Sequence, residues 1–132
     1  MRVYLADLGH NQLTLSSDIY PISVANCAAY ATAYLKSSRP VEIRIFREPE
    51  DLEAAIEAAP PDVAGFSSFA WNHNLSIHYA RYAKRVNPST VTLMGGPNYP
   101  LTPAEQEEWL RGMPSIDVAV RGPTHEGERA FL

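Results

Sequence analysis

Gly95 and Gly96, followed at once by Pro97, are the residues at which chemistry can first be placed in this chain. Neither glycine carries a side chain, so another backbone or a ligand can approach closely there. They follow Val91, Leu93 and Met94, a run too short for a helix and apolar enough for a buried strand. Pro97 and Pro100 cannot continue a strand ladder. Thr102-Pro103-Ala104-Glu105 then starts a helix, with a cap, a proline in the first helical position and a glutamate that reaches back. In open α/β sheets the loop of such a strand–loop–helix unit lies at the carboxyl edge, where ligands bind. A tight turn that only packs the helix on its strand would use the same glycines, so the pair alone leaves both readings open. No nucleophile–base pair or carboxylate pair is evident, which points to binding rather than self-contained catalysis. Cys27 is the only cysteine, so neither an internal disulfide nor a cysteine-based metal site can form within these residues.

The bulk properties narrow the classes further. A length of 132 residues implies one domain, 1–132, large enough to bury a core. Hydrophobic content of 45% and charged content of 20% are ordinary for a globular chain. A net charge of −4 with no basic run disfavours a nucleic-acid partner. No segment reads as membrane-crossing. The opening MRVYLADL reads as a strand and not as a signal peptide, so a cytoplasmic location is expected.

The elements that must position the glycines follow from periodicity and punctuation. Residues 3–8 form a strand, and 9–21 a long polar loop. Residues 23–36 are helical, with Val24, Cys27, Ala28, Ala31 and Leu35 on one face. Residues 41–46 alternate as a strand with one wetter face, near an edge. A helix over 49–59 opens at Pro49 and stops at Pro60-Pro61. Residues 62–66 form the third strand, ended by Ser67-Ser68. A helix over 74–86 turns Leu75, Tyr79, Tyr82, Ala83 and Val86 inward. The glycine strand, the capped helix to Arg111 and a fifth strand over 116–120 complete the series.

Five strands alternating with helices imply a parallel sheet with right-handed crossovers and helices on both faces. The expected fold is flavodoxin-like (Rossmann-like): doubly wound, three-layered α/β/α, with strand order 2-1-3-4-5. The crevice then lies among loops 9–21, 67–73, 95–101 and 122–127. They bring Gly9, His10, Ser67, Ser68, Trp71, Asn72, Gly95, Gly96, Asn98, Tyr99, Thr124 and His125 to one edge. Ser67 and Ser68 could equally end their strand by bonding local backbone. His73, His78 and His125 read as surface, flank or capping residues, and Asp62 and Asp117 as structural residues at the opposite edge.

Four stretches, taken together, resemble a known family. They are Ile22-Ser23-Val24-Ala25 after Tyr20-Pro21, Pro61-Asp62-Val63-Ala64-Gly65-Phe66-Ser67, Met94-Gly95-Gly96-Pro97, and Asp117-Val118-Ala119-Val120-Arg121-Gly122. In order and spacing they resemble the cobalamin-binding domain at the N-terminus of radical S-adenosylmethionine (radical SAM) enzymes. The resemblance covers nearly the whole chain. It implies base-off cobalamin at the carboxyl sheet edge, its nucleotide tail passing over Gly95 and Gly96 beside Pro97, Asn98 and Gly122. It also implies that Ser67 and Ser68 bond the buried tail, and that Tyr20, Trp71 and Tyr99 pack on the corrin or a facing domain. A longer methyltransferase-like parent is implied, whose radical SAM barrel holds an iron–sulfur cluster and S-adenosylmethionine and faces this domain.

The departures are specific. Ser23 stands where the family has glycine, Asn98-Tyr99-Pro100 replaces a histidine-containing stretch, and Pro123-Thr124-His125 lengthens the last loop. Cobalamin domains that ligate cobalt through histidine carry Asp-x-His-x-x-Gly after the first strand. Asp7-Leu8-Gly9-His10 is one residue too long and lacks the closing glycine, so no metal ligand is expected, with His10 the single candidate. Two other readings remain. One is a flavodoxin-type flavin or nucleotide domain, which lacks its phosphate cradle here because Ser16-Ser17 lies late in its loop. The other is a ligand-free scaffold or interaction domain. A last helix cut short at Leu132 would leave apolar sheet bare, so association into a dimer through that surface is expected.

Overall fold

The structure, a computed structural model, describes residues 1–9, 20–36 and 39–120. In chain order the elements are β1 (Arg2–Ala6), α1 (Ile22–Tyr34), β2 (Glu42–Phe46), α2 (Pro49–Ala58), β3 (Val63–Ser67), α3 (His73–Val86), β4 (Val91–Gly95), α4 (Pro103–Gly112) and β5 (Val118–Val120). The strands form one parallel sheet in the order β2-β1-β3-β4-β5. This is the doubly wound, flavodoxin-like arrangement that strand–helix alternation predicts.

The register assigns each strand residue to a face. Leu5 stands beside Ile45 and Gly65, Gly65 beside Leu93, and Leu93 beside Val118. Tyr4, Ala64, Thr92, Phe66 and Met94 belong to the opposite face, because alternate residues point to opposite sides. On that side Tyr4, Phe46, Phe66 and Met94 bury against Leu52 and Ile56 of α2 and Ile77, Ala80 and Ala83 of α3. On the other side, among the described residues, Val24 and Ala28 of α1 pack on Val3 and Leu5. Gly65 lets that layer close, since a Cβ there would lie 2.8 Å from Leu5 Cδ2.

Several element bounds differ from expectation for local reasons. α1 begins at Ile22 and ends at Tyr34, and its buried residues are Val24, Ala28 and Ala31, with Cys27 and Leu35 half-buried. In α3 the inward set shifts to Ser76, Ile77, Tyr79, Ala80, Tyr82 and Ala83. Leu75 is half-buried, and Val86, the last helical residue, is 39% exposed. β5 begins at Val118 because Ser115 and Ile116 are used in the turn that leaves α4, where Ile116 N–H donates to the Met113 carbonyl.

The amino edge of the sheet is held by the two aspartates expected there. Asp62 accepts from the Arg2 amide at 2.6 Å. Asp117 accepts from the Thr92 amide at 2.8 Å and pairs with Lys84 Nζ at 2.7 Å. Burial alone would raise the Asp117 pKa, but hydrogen bonds from Lys84 and Thr92 outweigh it and the net shift is downward. Among the described residues no helix is long and apolar enough to cross a membrane.

Candidate functional site

At the carboxyl edge, β1 and β3 end side by side and their last polar residues meet. Ser67 Oγ donates to Asp7 Oδ1 in a short hydrogen bond. Asn72 Nδ2 donates to the same Asp7 oxygen at 3.1 Å and to Ser67 Oγ at 2.9 Å. Asn72 Oδ1 accepts from the Phe69 amide at 2.8 Å, closing the turn into α3. Ser76 Oγ donates to the Ser67 carbonyl at 2.8 Å. Asn72 and Ser76 are fully buried, and Ser67 nearly so. The side chains of Ser67, Asn72 and Ser76 therefore all have hydrogen-bond partners inside the protein, as buried polar groups generally do.

Ser68, the next residue, leaves the sheet and ties three segments together. Its Oγ lies 2.8 Å from Nδ1 of His73, the first residue of α3. Its amide donates to the Gly95 carbonyl at 2.7 Å, and its own carbonyl accepts from the Asn98 amide at 3.2 Å. The 95–98 turn is thereby strapped to the end of β3. Gly96 has φ of +135°, a conformation that L side chains rarely adopt, and a Cβ on it would meet the Ser68 carbonyl oxygen at 2.5 Å. Gly95 is different: an added Cβ would lie 3.6 Å from Val120 Cβ, an ordinary contact. The two glycines therefore differ: Gly96 makes the turn, and Gly95 is the half-buried last residue of β4 beside Val120.

α4 holds the far side of that turn. Its start is the capping box read from the sequence, with Thr102 Oγ1 accepting from the Glu105 amide and the Glu105 side chain reaching back to the Thr102 amide. Trp109 of α4 then packs edge-on against Tyr99, with ring centroids 5.1 Å apart, and lies 6.0 Å from the His73 ring. The chain of contacts runs Ser68–His73–Trp109–Tyr99 and returns to the glycine turn.

The sequence-derived candidates within the described residues fall into three groups. Gly96, Pro97 and Asn98 are exposed on the turn, with Gly95 and Tyr99 half-buried beside them. Tyr20, 80% exposed, stands before α1, and Trp71 stacks on Phe69 with 57% of its surface exposed. Ser67 and Ser68 are buried and internally bonded. His10, Gly122, Thr124 and His125 lie outside the described residues. Among the described residues no group of three or more His, Cys, Asp or Glu is placed to hold a metal ion.

Three residues matter more than their sequence context suggests. Asp7 is the shared acceptor of the cluster, Asn72 its central donor, and His73, expected at the surface, is half-buried against Ser68. Burial holds the His73 imidazole below its ordinary pKa. The five-residue step from Ser67 to Asn72 is the one local signal, since it carries a strand end into a helix start.

Comparison with known proteins bears on this edge. A family profile described as B12 binding domain matches residues 12–132. An uncharacterized methyltransferase of Pyrococcus horikoshii is 33% identical over 81 residues, which is 61% of this chain and 16% of that protein. The match thus spans only a small part of the relative's length. The crystal structure of the pilus assembly protein CpaE of Caulobacter crescentus CB15 superposes with a TM-score of 0.59, covering 98% of this chain and 94% of that one at 16% identity. At that identity the likeness is one of fold.

Proposed function

The chain belongs to the B12-binding domain family, and from that premise we propose that it holds cobalamin at the carboxyl edge of its sheet, over the 95–98 turn. The observation that carries the placement is the turn itself: Gly95 ends β4 half-buried and without a side chain, while Gly96, Pro97 and Asn98 lie exposed beside it. A side-chain-free shelf next to an exposed amide side chain fits the close approach of a nucleotide tail. Bound cobalamin would supply a cobalt centre for group transfer or radical chemistry. The protein's own residues would orient it: Gly95 and Asn98 by contact, Tyr20 and Tyr99 by apolar packing, and Ser67 and Ser68 from beneath by holding the edge in shape. Cobalamin is proposed to bind base-off without a histidine ligand, because the Asp7–His10 spacing departs from the ligating pattern.

The finer reading is a domain of a longer methyltransferase-like radical SAM enzyme, whose barrel carries an iron–sulfur cluster and S-adenosylmethionine. The ordered motifs and the methyltransferase relative support it. The internal bonding of Ser67 and Ser68 favours a second reading, a ligand-free scaffold.

One titration decides. Purified protein is mixed with hydroxocobalamin or with flavin mononucleotide, desalted and scanned for absorbance. Retained cobalamin in the wild type, lost in a folded Gly95→Leu variant, is expected. Retention of flavin alone, or of neither, overturns the proposal. Nitrogen splitting in the resonance spectrum of bound cob(II)alamin that disappears in His10→Ala would overturn the base-off assignment.

A further inference from the structure

We propose that His73 is a positioning residue for the 95–99 loop, holding it through Ser68 on one side and Trp109 on the other, and that protonation of its ring releases the loop. The consequence for ligand binding rests on the reading of that loop as the cobalamin shelf; the effect on the loop itself does not.

The geometry places His73 where two supports of the loop join. Its Nδ1 meets Ser68 Oγ at 2.8 Å, and the Ser68 main chain bonds both Gly95 and Asn98. Its ring faces Trp109, on which Tyr99 rests. Displacing the ring would therefore loosen both ends of the loop together.

The surroundings disfavour a charged ring. The groove beside it is lined by Asn74, Ile77, His78 and Arg81 of α3 and by Gly112 and Met113 at the end of α4. The charged or titratable members of that lining, His78 and Arg81, are both basic. Asp7 is the carboxylate of the neighbouring cluster, and its Oδ1 is already bonded by Ser67 and Asn72. On α4, Glu105 is engaged by Thr102 and Glu107 by Arg111, while Glu108 is exposed. Trp109 would favour a cation over its face, but at 6.0 Å and a tilt of 49° the contact is marginal. Burial prevails, and the ring is held below its ordinary pKa. Below that point the imidazolium seeks water and leaves the slot between Ser68 and Trp109.

The test follows the loop in the ligand-free 132-residue chain by NMR, from about pH 8 to about pH 5. The Gly95, Gly96 and Asn98 amide signals are expected to move with the midpoint of the His73 ring, and the Asn98 amide to exchange faster below it. His73→Gln keeps a group able to bond Ser68 but does not titrate, so the loop stays ordered and the step disappears. In the cobalamin arm, Kd is expected to rise about ten-fold per unit of pH once below the midpoint in wild type, and to stay flat in the Gln variant. Loop amides indifferent to His73 titration, or an unchanged step in His73→Gln, would overturn the inference. A loop step without cobalamin binding at any pH leaves the inference standing and refutes the cobalamin reading instead.

Discussion

The main chain of Ser68 lies directly against Gly96: a Cβ built on Gly96 would sit 2.5 Å from the Ser68 carbonyl oxygen and 3.0 Å from its amide nitrogen. The contact is backbone on backbone, so neither partner can yield by changing rotamer. Together with the positive φ at Gly96, it makes the second glycine a folding requirement independent of any ligand. Gly96→Ala should therefore lower stability by roughly 1–3 kcal/mol or more, whether or not a ligand is present. Gly95→Ala, in ordinary contact range of Val120, should stay within about 1 kcal/mol of wild type. Urea denaturation of the two variants checks the pair, and equal losses would refute the division of tasks.

The buried amide of Asn72 should not tolerate a carboxylate. Asn72→Asp keeps the acceptor used by Phe69, loses both donated bonds, and sets a second carboxylate beside Asp7. Like charges at that distance raise one of the two pKa values in the folded state. The folded variant then binds more protons than the unfolded chain, so its stability should fall as pH rises and recover in acid. A loss of roughly 3–5 kcal/mol is expected at neutral pH. Denaturation midpoints compared at neutral and acidic pH test the sign. A loss that does not shrink on acidification would show that the two carboxyl groups do not interact.

At the amino edge, Asp117 works in the opposite direction. Its folded pKa lies below the ordinary carboxylate value, so its contribution is present above about pH 4 and is lost as pH falls through the folded value. The pair with Lys84 is partly open to solvent, so the charge term is modest and salt-sensitive. The bonds from Thr92, whose side chain is fully buried, matter more. Asp117→Ala should cost on the order of 1–3 kcal/mol by leaving the Thr92 amide unmet, the Thr92 hydroxyl keeping the Ser115 carbonyl, and Lys84→Met clearly less. Thermal melts in low and high salt separate the two. A larger loss from Lys84→Met would reverse this ranking.

The cap of α4 supports the glycine turn at a distance. α4 buries no residue fully, so little packing holds its first turn. Thr102→Ala should cost about 1 kcal/mol and raise amide exchange at Glu105 and Gln106. Because Trp109 of α4 packs against Tyr99, the neighbour of Asn98, exchange at Asn98 should rise as well. Unchanged exchange throughout would show that the capping box is not needed here.

What the sequence alone determined is local in origin. Strand–helix alternation gave the parallel sheet, and five strands of that kind gave the order 2-1-3-4-5. Thr102-Pro103-Ala104-Glu105 announced a cap because capping depends on neighbours three residues apart. Asp62 and Asp117 were legible as edge residues from their places just before strands. The roles of Asp7, Asn72, His73 and Gly96 were not legible in this way. Asp7 meets Ser67 and Asn72 across some sixty residues of chain. Gly96 is shaped by a carbonyl twenty-eight positions earlier. His73 stands five residues after Ser68, but the depth of its slot depends on Trp109. Such contacts exist only once β1, β3 and β4 lie side by side, because register and burial, not spacing along the chain, decide which polar groups share a site.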